Sequence, residues 1–235
     1  MFDTYDIPIR IENNGIAIDI QKDNGHILYK RSCPDESVEK RILSDCSSIL
    51  INPVEPLNKP KELTPYFLVE FVRPIVVEPK ATHIIYLTFP IETGVFICKN
   101  SEFQNLDILT LARKKYTLYG DPLSGMLCRF WQSAVHHCIP SANPLCEGIM
   151  ELAIINATTA WSEVTKAVFT AHGMKIYYNK TMVSMKATMK ISGTTSAETA
   201  FDDAPLVQGM KKSLELYTAR KLLVISPKFF MLEGI

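Results

Sequence analysis

Apolar and polar residues alternate with a period of two along most of this chain. The stretch IPIRIENNGIAIDI (residues 7–20) has isoleucine at every second position on both sides of Asn14-Gly15. Asn-Gly between two alternating runs is the strongest short-range signal of a β-hairpin, because both residues tolerate positive φ. In the stretch VSMKATMKI (residues 183–191), apolar residues alternate with serine, threonine and lysine. This pattern is typical of a half-exposed antiparallel strand.

Further short runs are rich in β-branched and aromatic residues, and proline or glycine bounds them. They include residues 66–72, 82–89 and 94–99. No long window has a helical period. We therefore predict an all-β protein of two consecutive antiparallel β-sandwich domains of the immunoglobulin-like type, residues 1–105 and 106–235. A single large double sheet is the alternative. The stretch FQNLDILTLARKK (residues 103–115) is interpreted as a linker that contains a strand or a short helix.

The charge balance and the cysteine content limit the compartment and the classes of partner that we expect. Lysine plus arginine equals aspartate plus glutamate, 25 each, whereas nucleic-acid binders usually carry a basic surplus. The sequence shows neither a secretory signal nor the ~18 consecutive apolar residues that a membrane span needs. The six cysteines form no CxxC pair, which favours free thiols in a reducing compartment. We therefore expect a cytoplasmic protein with no membrane span and no nucleic-acid partner.

The stretch RFWQSAVHHCIPSANPLCEG (residues 129–148) is the strongest candidate for chemistry. If residues 126–138 form one strand, His136 and Cys138 share a face and His137 points to the other side. His136 and Cys138, with Cys146 from the following turn, are therefore the candidate ligands of a zinc site. Cys138 beside His136 could also form a thiol nucleophile. The alternative is a strand end whose buried thiols pack as small apolar groups.

Four other features of the sequence can be interpreted in structural terms. Glu55 lies among prolines in NPVEPLN and is expected to bond to neighbouring backbone or to a nearby arginine. YGDPLSG (residues 119–125) is interpreted as a hairpin turn, with a ligand-lining loop as the alternative. Trp161 is expected in the core, with an edge position as the alternative. The apolar C-terminal stretch, residues 222–232, either packs as a last strand or presents an interface, and we favour packing.

Several segments together resemble an uncharacterised archaeal family, domain of unknown function 432. The segments are INPVEPLN (51–58), VEPKATHIIYLTFPIETGVFI (77–97), KYTLYGDPLSGMLCRFW (115–131) and AHGMKIYYNKTMVSMKATMKI (171–191). The resemblance covers most of the chain but includes no catalytic signature, so it implies no active-site residue. Members of the family are sometimes encoded near small mechanosensitive channels, which implies an accessory of a membrane channel.

These observations favour a non-catalytic protein-binding or scaffold protein that binds another protein or a second copy of itself. Its contacts would lie on loops at the ends of the sandwich, or on an edge strand that accepts a strand of the partner. No catalytic or cofactor-binding residue is predicted. The alternative is a metal- or thiol-dependent enzyme, or a small-ligand protein, that uses His136, Cys138 and Cys146.

Overall fold

The protein consists of β-strands joined by turns and loops. A computed structural model describes residues 1–34, 36–59, 63–99, 102–216 and 228–235. In chain order the strands are β1 Asp3–Asp6, β2 Ile9–Asn13, β3 Ile16–Asp23, β4 His26–Cys33, β5 Glu36–Ile42, β6 Ser48–Val54, β7 Tyr66–Val77, β8 Thr82–Pro90, β9 Glu92–Lys99, β10 Glu102–Leu109, β11 Tyr116–Tyr119, β12 Met126–Ser133, β13 Glu147–Asn156, β14 Ser162–Thr170, β15 Tyr177–Tyr178, β16 Val183–Ile191, β17 Ala197–Asp202, β18 Lys211–Lys212 and β19 Phe229–Met231. Within the described ranges the only helical segment is the 3-10 turn Ala171–Gly173. The predicted all-β class is confirmed, and no helix in these ranges is long and apolar enough to cross a membrane.

The chain divides into two compact units, and each unit uses two separate segments of the chain. The first unit contains residues 1–52 and 93–108, and the second contains residues 53–92 and 109–235. This division differs from the predicted one at 105/106, because residues 53–92 belong to the second unit. The chain changes unit inside β6, at the start of β9 and at the end of β10.

The first unit is built on two four-stranded sheets, β1-β6-β9-β10 and β2-β3-β4-β5. The predicted hairpin at Asn14-Gly15 is confirmed, with φ of 46° and 82° and Asn13 paired with Ile16. Asn24-Gly25 forms a second turn of the same kind between β3 and β4. The segment predicted as a linker contributes a strand, β10, to the first unit.

A buried ion pair joins the two sheets of the first unit. Arg31 on β4 donates from Nε to Oδ2 of Asp107 on β10 over 2.6 Å, and the Tyr29 hydroxyl donates to the same oxygen over 2.8 Å. The side chain of Arg31 is fully buried and that of Asp107 is 6% exposed. A buried charge is tolerated only when it is paired, so each side chain depends on the other.

The second unit holds the β7 sheet, ordered β11-β12-β7-β14, and the β8 sheet, ordered β18-β15-β16-β13-β8. In the β8 sheet, β17 also pairs with β16, and β19 pairs with β17. The β12–β7 and β13–β16 pairs are parallel and the other pairs are antiparallel. Both sheets are therefore mixed, which the antiparallel prediction did not include. Parallel neighbours need long crossover connections, and the hairpin signals of the sequence do not reveal such connections.

Burial in the second unit follows the alternation of the sequence in most places. The apolar positions of β16 are buried as predicted. The C-terminal segment packs as a last strand, as predicted, because β19 pairs with β17, and Phe229, Met231 and Ile235 are buried. Phe230 and Leu232 of the same segment are 59% and 68% exposed. Residues 222–227 of the same prediction lie outside the described residues. The prediction for Trp161 is wrong, because its side chain is 67% exposed at the start of β14.

Candidate functional site

The predicted histidine and cysteine residues do not lie on one strand. β12 ends at Ser133, so the strand prediction is wrong from residue 134 onwards. The Ser133 hydroxyl accepts the Thr88 N–H at 2.8 Å and donates to the Ala134 carbonyl at 2.8 Å. The β12–β7 ladder ends at the same residue, in the pair of Ser133 with Phe71.

His136, Cys138 and Cys146 have different surroundings. His136 forms a single backbone bridge with Tyr86 of β8. Cys138 is exposed, and Cys146 is partly buried in a turn whose Asn143 carbonyl accepts its N–H at 2.9 Å. Nowhere in the described ranges do three or more histidine, cysteine, aspartate or glutamate side chains form a group that could hold a metal ion. None of the six cysteines, all in described positions, forms a disulfide, which confirms the free thiols.

The thiols that are shielded from water are poor nucleophiles. Burial, and secondarily the charge of Glu147, raise the pKa of Cys146. Burial alone raises the pKa of Cys128 to about 12. Since the thiolate is the reactive form, the raised pKa disfavours reaction of both side chains near neutral pH.

Two fully buried carboxyl groups in the second unit were missed as a pair by sequence reasoning. Glu92 accepts the backbone N–H groups of Asn58 and Lys59 at 3.0 and 3.1 Å and therefore fastens the turn that follows β6. Glu55 lies in this turn, and its Oε2 has no hydrogen-bond partner among the described residues. Burial raises the pKa of both carboxyl groups to about 7. For Glu55 the charges of Glu215 and Glu92 add to this effect.

Arg129 is the third buried ionisable group of this cluster. It is 0% exposed and donates from Nη1 and Nη2 to the carbonyls of Lys115 and Arg113, at 3.2 and 3.0 Å. Its guanidinium lies 5.5 Å from the centre of the Tyr116 ring. Burial lowers its pKa, and Tyr116 and Glu92 oppose this effect. A single charged residue inside an apolar run, as in MLCRFW and PIETGVF, is the sequence signal that could have identified Arg129 and Glu92.

Glu55, Glu92 and Arg129 are unsuited to catalysis on a substrate, because none of them is more than 2% exposed. A general acid or base must come within hydrogen-bond reach of the reacting group. The nearby charges that do reach the surface are paired with one another. Lys175 donates to both oxygens of Glu215 at 2.8 Å, and Lys212 contacts Glu215 at 3.2 Å and Asp203 at 2.7 Å.

One edge of β8 is only partly covered by the rest of the second unit. β8 pairs with β13 on one side in regular register over residues 82–90. On the other side, Tyr86 exchanges two backbone hydrogen bonds of 2.9 Å with His136, and the N–H of Thr88 is bonded to Ser133. Hydrogen bonds along an antiparallel strand point to alternate sides with a period of two. The N–H and C=O groups of Thr82 and Ile84 therefore point to the same side as those of Tyr86.

At Thr82 and Ile84 this edge has no hydrogen-bond partner in the described part of the chain. Residues 82–84 are exposed, and Ile84 is 54% exposed although it is strongly apolar. The edge of β14 is different: Met231 Sδ accepts the Val168 N–H at 3.4 Å, and the Thr199 hydroxyl donates to the Val168 carbonyl. The protein thus covers the edge of β14 at Val168 and leaves the start of β8 open.

The fold and this edge define an all-β protein of two two-sheet units, with a buried ionisable cluster and an uncovered strand edge in the second unit. The chain belongs to the family described as Protein of unknown function (DUF432), whose sequence model matches residues 1–232. This match confirms domain of unknown function 432 as the family that the quoted segments resemble. No curated protein and no solved structure matches the chain.

Proposed function

We propose that this chain is a non-catalytic protein-binding β-sandwich protein that holds an extended segment of a partner by strand addition to β8. The observation that carries the proposal is the open edge at Thr82 and Ile84. Two N–H and two C=O groups there point away from β13 and can bond a further strand. Strand addition is a common mode of peptide recognition, in which backbone hydrogen bonds supply affinity and alternate side chains supply specificity.

The bridge between Tyr86 and His136 supports this geometry. It shows that β8 already accepts an antiparallel neighbour on this side. After His136 the chain leaves the edge, because His137, Cys138 and Ile139 are all exposed and form no further bridge with β8. An added strand would pair with β8 next to the Tyr86–His136 bridge, where the segment after His136 leaves the edge.

The side chains at the edge indicate the composition of the bound segment. Ile84 projects from the sheet and would face a side chain of the added strand across about 5 Å, the distance at which β-branched and aromatic pairs stabilise a sheet. His83 and Glu78 lie 3.6 Å apart, and both are about half exposed. Because Ile84 is an exposed apolar side chain at this edge, we infer that the bound segment has an apolar, β-branched or aromatic residue opposite it.

The family resemblance suggests the source, the compartment and the partner of the protein. The protein would be an archaeal, cytoplasmic protein, and its partner would be a membrane channel of the small mechanosensitive type or a second copy of the chain. An accessory of this kind needs no catalytic group of its own, which agrees with the burial of Glu55, Glu92 and Arg129.

Comparative capture tests the proposal. The purified protein, the Ile84→Pro variant and the Leu43→Lys variant are incubated with extract of the source organism, cross-linked, and analysed by mass spectrometry. Proline at 84 removes an N–H that an added strand needs, whereas Leu43 is an 81% exposed residue of the first unit and serves as the control. We expect a partner whose cross-links fall on residues 80–86 and which Ile84→Pro loses but Leu43→Lys retains. A partner that Ile84→Pro binds as well as the wild type would overturn the proposal, and so would failure to retain any protein.

A further inference from the structure

A second concave site lies on the outer face of the β7 sheet. Register places Lys166 of β14 and Gln132 of β12 on either side of Glu70, and Phe130 beside Leu68. These side chains lie on the opposite face from the buried Phe67, Val69 and Arg129, because successive residues of a strand alternate sides. The cavity, here called the sheet cup, has a volume of about 260 Å³, and its lining includes Glu70, Tyr119, Gly120, Phe130, Lys166 and Glu233.

The C-terminal residues form one wall of the sheet cup. The Tyr119 hydroxyl accepts the N–H of Glu233 and donates to the Gly234 carbonyl, both at 3.0 Å. The Thr165 hydroxyl donates to the Ile235 carbonyl at 2.9 Å. The Glu233 side chain lies over Gly120, which has φ +95°, and a Cβ atom at residue 120 would come within 3.0 Å of Glu233 Cγ. A larger residue at position 120 would therefore displace this wall.

Charged side chains of both signs line the sheet cup. Lys166 Nζ lies 5.9 Å from the centre of the Tyr119 ring and has no ion-pair partner within 4.0 Å among the described residues. Glu70 accepts one hydrogen bond, from Gln132 at 3.2 Å. The Glu233 carboxylate has no hydrogen-bond or ion-pair partner among the described residues. A ligand with a single charge would pair either with Lys166 or with the carboxylates, and would leave the groups of the other sign unpaired.

We propose that the sheet cup binds a small zwitterion with an apolar body, of the class of the apolar α-amino acids. The ligand carboxylate pairs with Lys166, its ammonium lies between Glu70 and Glu233, and its side chain packs on Phe130, which is partly exposed. The volume is slightly below the ~300 Å³ at the lower end of small-molecule sites, which limits the ligand to a size of this order. This site is separate from the β8 edge and does not depend on the proposed function.

Calorimetric titration with matched probes tests the inference. L-leucine carries both charges, 4-methylpentanoate lacks the ammonium, and 3-methylbutylamine lacks the carboxylate. We expect saturable binding of L-leucine, and binding at least about tenfold weaker for each singly charged probe. Lys166→Met and Glu70→Gln should each weaken leucine binding by about tenfold or more, whereas Lys190→Met, an exposed lysine on β16, should leave it unchanged.

Three results would overturn the inference. The first is absence of saturation by leucine, isoleucine, methionine and phenylalanine up to about 10 mM, where a millimolar site fills. The second is equal affinity for leucine and one of the singly charged probes. The third is unchanged leucine binding in both Lys166→Met and Glu70→Gln. Thermal unfolding of each variant checks that it is folded when the titration is made.

Discussion

Tyr86 and His136 exchange two backbone hydrogen bonds, each 2.9 Å long. His136 attracts attention in the sequence as a ligand, yet in the fold its backbone pairs with the edge of β8. The bridge fixes which groups of β8 point outward, because the pattern repeats every second residue. It therefore identifies Thr82 and Ile84 as the uncovered positions on which the proposed function rests.

Ile84→Pro should leave the folded protein almost as stable as the wild type. The N–H of Ile84 points away from β13, so proline removes no hydrogen bond of the sheet, and proline is tolerated on such edges. We expect a change in the free energy of unfolding of no more than about 1 kcal/mol, measured by urea denaturation.

Ile85→Pro is the matched control. Ile85 is 4% exposed, and its N–H points to β13. Proline there removes a ladder bond and a buried side chain, so the loss should be about 3 kcal/mol or more. Equal destabilisation by the two prolines would show that the inferred direction of the Ile84 N–H is wrong.

The stability of the second unit should fall between pH 5 and pH 8. Burial raises the pKa of Glu55 and Glu92 from the usual 4.5 to about 7. Each carboxyl group therefore binds its proton more tightly in the folded state than in the unfolded state. Its contribution is complete below pH 4.5 and is lost as the pH rises through 7, by up to about 3 kcal/mol for one group. Urea unfolding at a series of pH values measures this slope.

Glu55→Gln should flatten the slope, because glutamine does not titrate. We expect the variant to be more stable than the wild type at pH 8, by up to about 3 kcal/mol. Glu163→Gln, an exposed residue of β14, is the control and should keep the slope of the wild type. A slope that is the same in wild type and Glu55→Gln would exclude Glu55 as its source.

Asp107→Ala should strongly destabilise the first unit. It removes the buried carboxylate that pairs with Arg31 Nε and leaves only the half-exposed Glu36 as a counter-charge. Losing one member of a buried pair costs about 3–5 kcal/mol. Glu36→Gln is the control, since the Glu36 side chain contacts Arg31 at 3.1 Å but is 49% exposed. It should cost about 1 kcal/mol or less. Similar urea midpoints for the two variants would contradict the structural role of Asp107.

Thiol labelling of the native protein should modify Cys138 first and Cys128 only after unfolding. Cys138 is exposed, whereas Cys128 is buried and its pKa is raised to about 12. Cys138→Ser should remove the fast phase of labelling. Rapid labelling of Cys128 would contradict its burial, and stoichiometric zinc that protects Cys138 and Cys146 would support the metal-site alternative.

The sequence predicts the local structure well where neighbouring residues determine it. Asn14-Gly15 defines a hairpin, and the alternation over 183–191 defines a strand with one buried face. Pairing between distant segments is not encoded locally, so the parallel β12–β7 and β13–β16 pairs and the placement of residues 53–92 in the second unit were not predicted. Trp161 shows the same limit, because its exposure depends on how β14 begins.

The candidate site was predicted from the sequence less well than the fold. The prediction placed His136 and Cys138 on one strand face, but the strand ends at Ser133. The open edge of β8 depends on where the chain departs after His136, which no pattern of residues 134–139 indicates. Whether His136, Cys138 and Cys146 bind zinc stays a prediction.

Amide hydrogen exchange at Thr82, Ile84 and Tyr86 tests the central claim most directly. In the free protein the Tyr86 amide should exchange slowly, because it is bonded to His136, and the amides of Thr82 and Ile84 should exchange fast. In the complex with the captured partner, all three amides should be protected. A complex in which Thr82 and Ile84 exchange as fast as in the free protein would contradict binding by strand addition to β8.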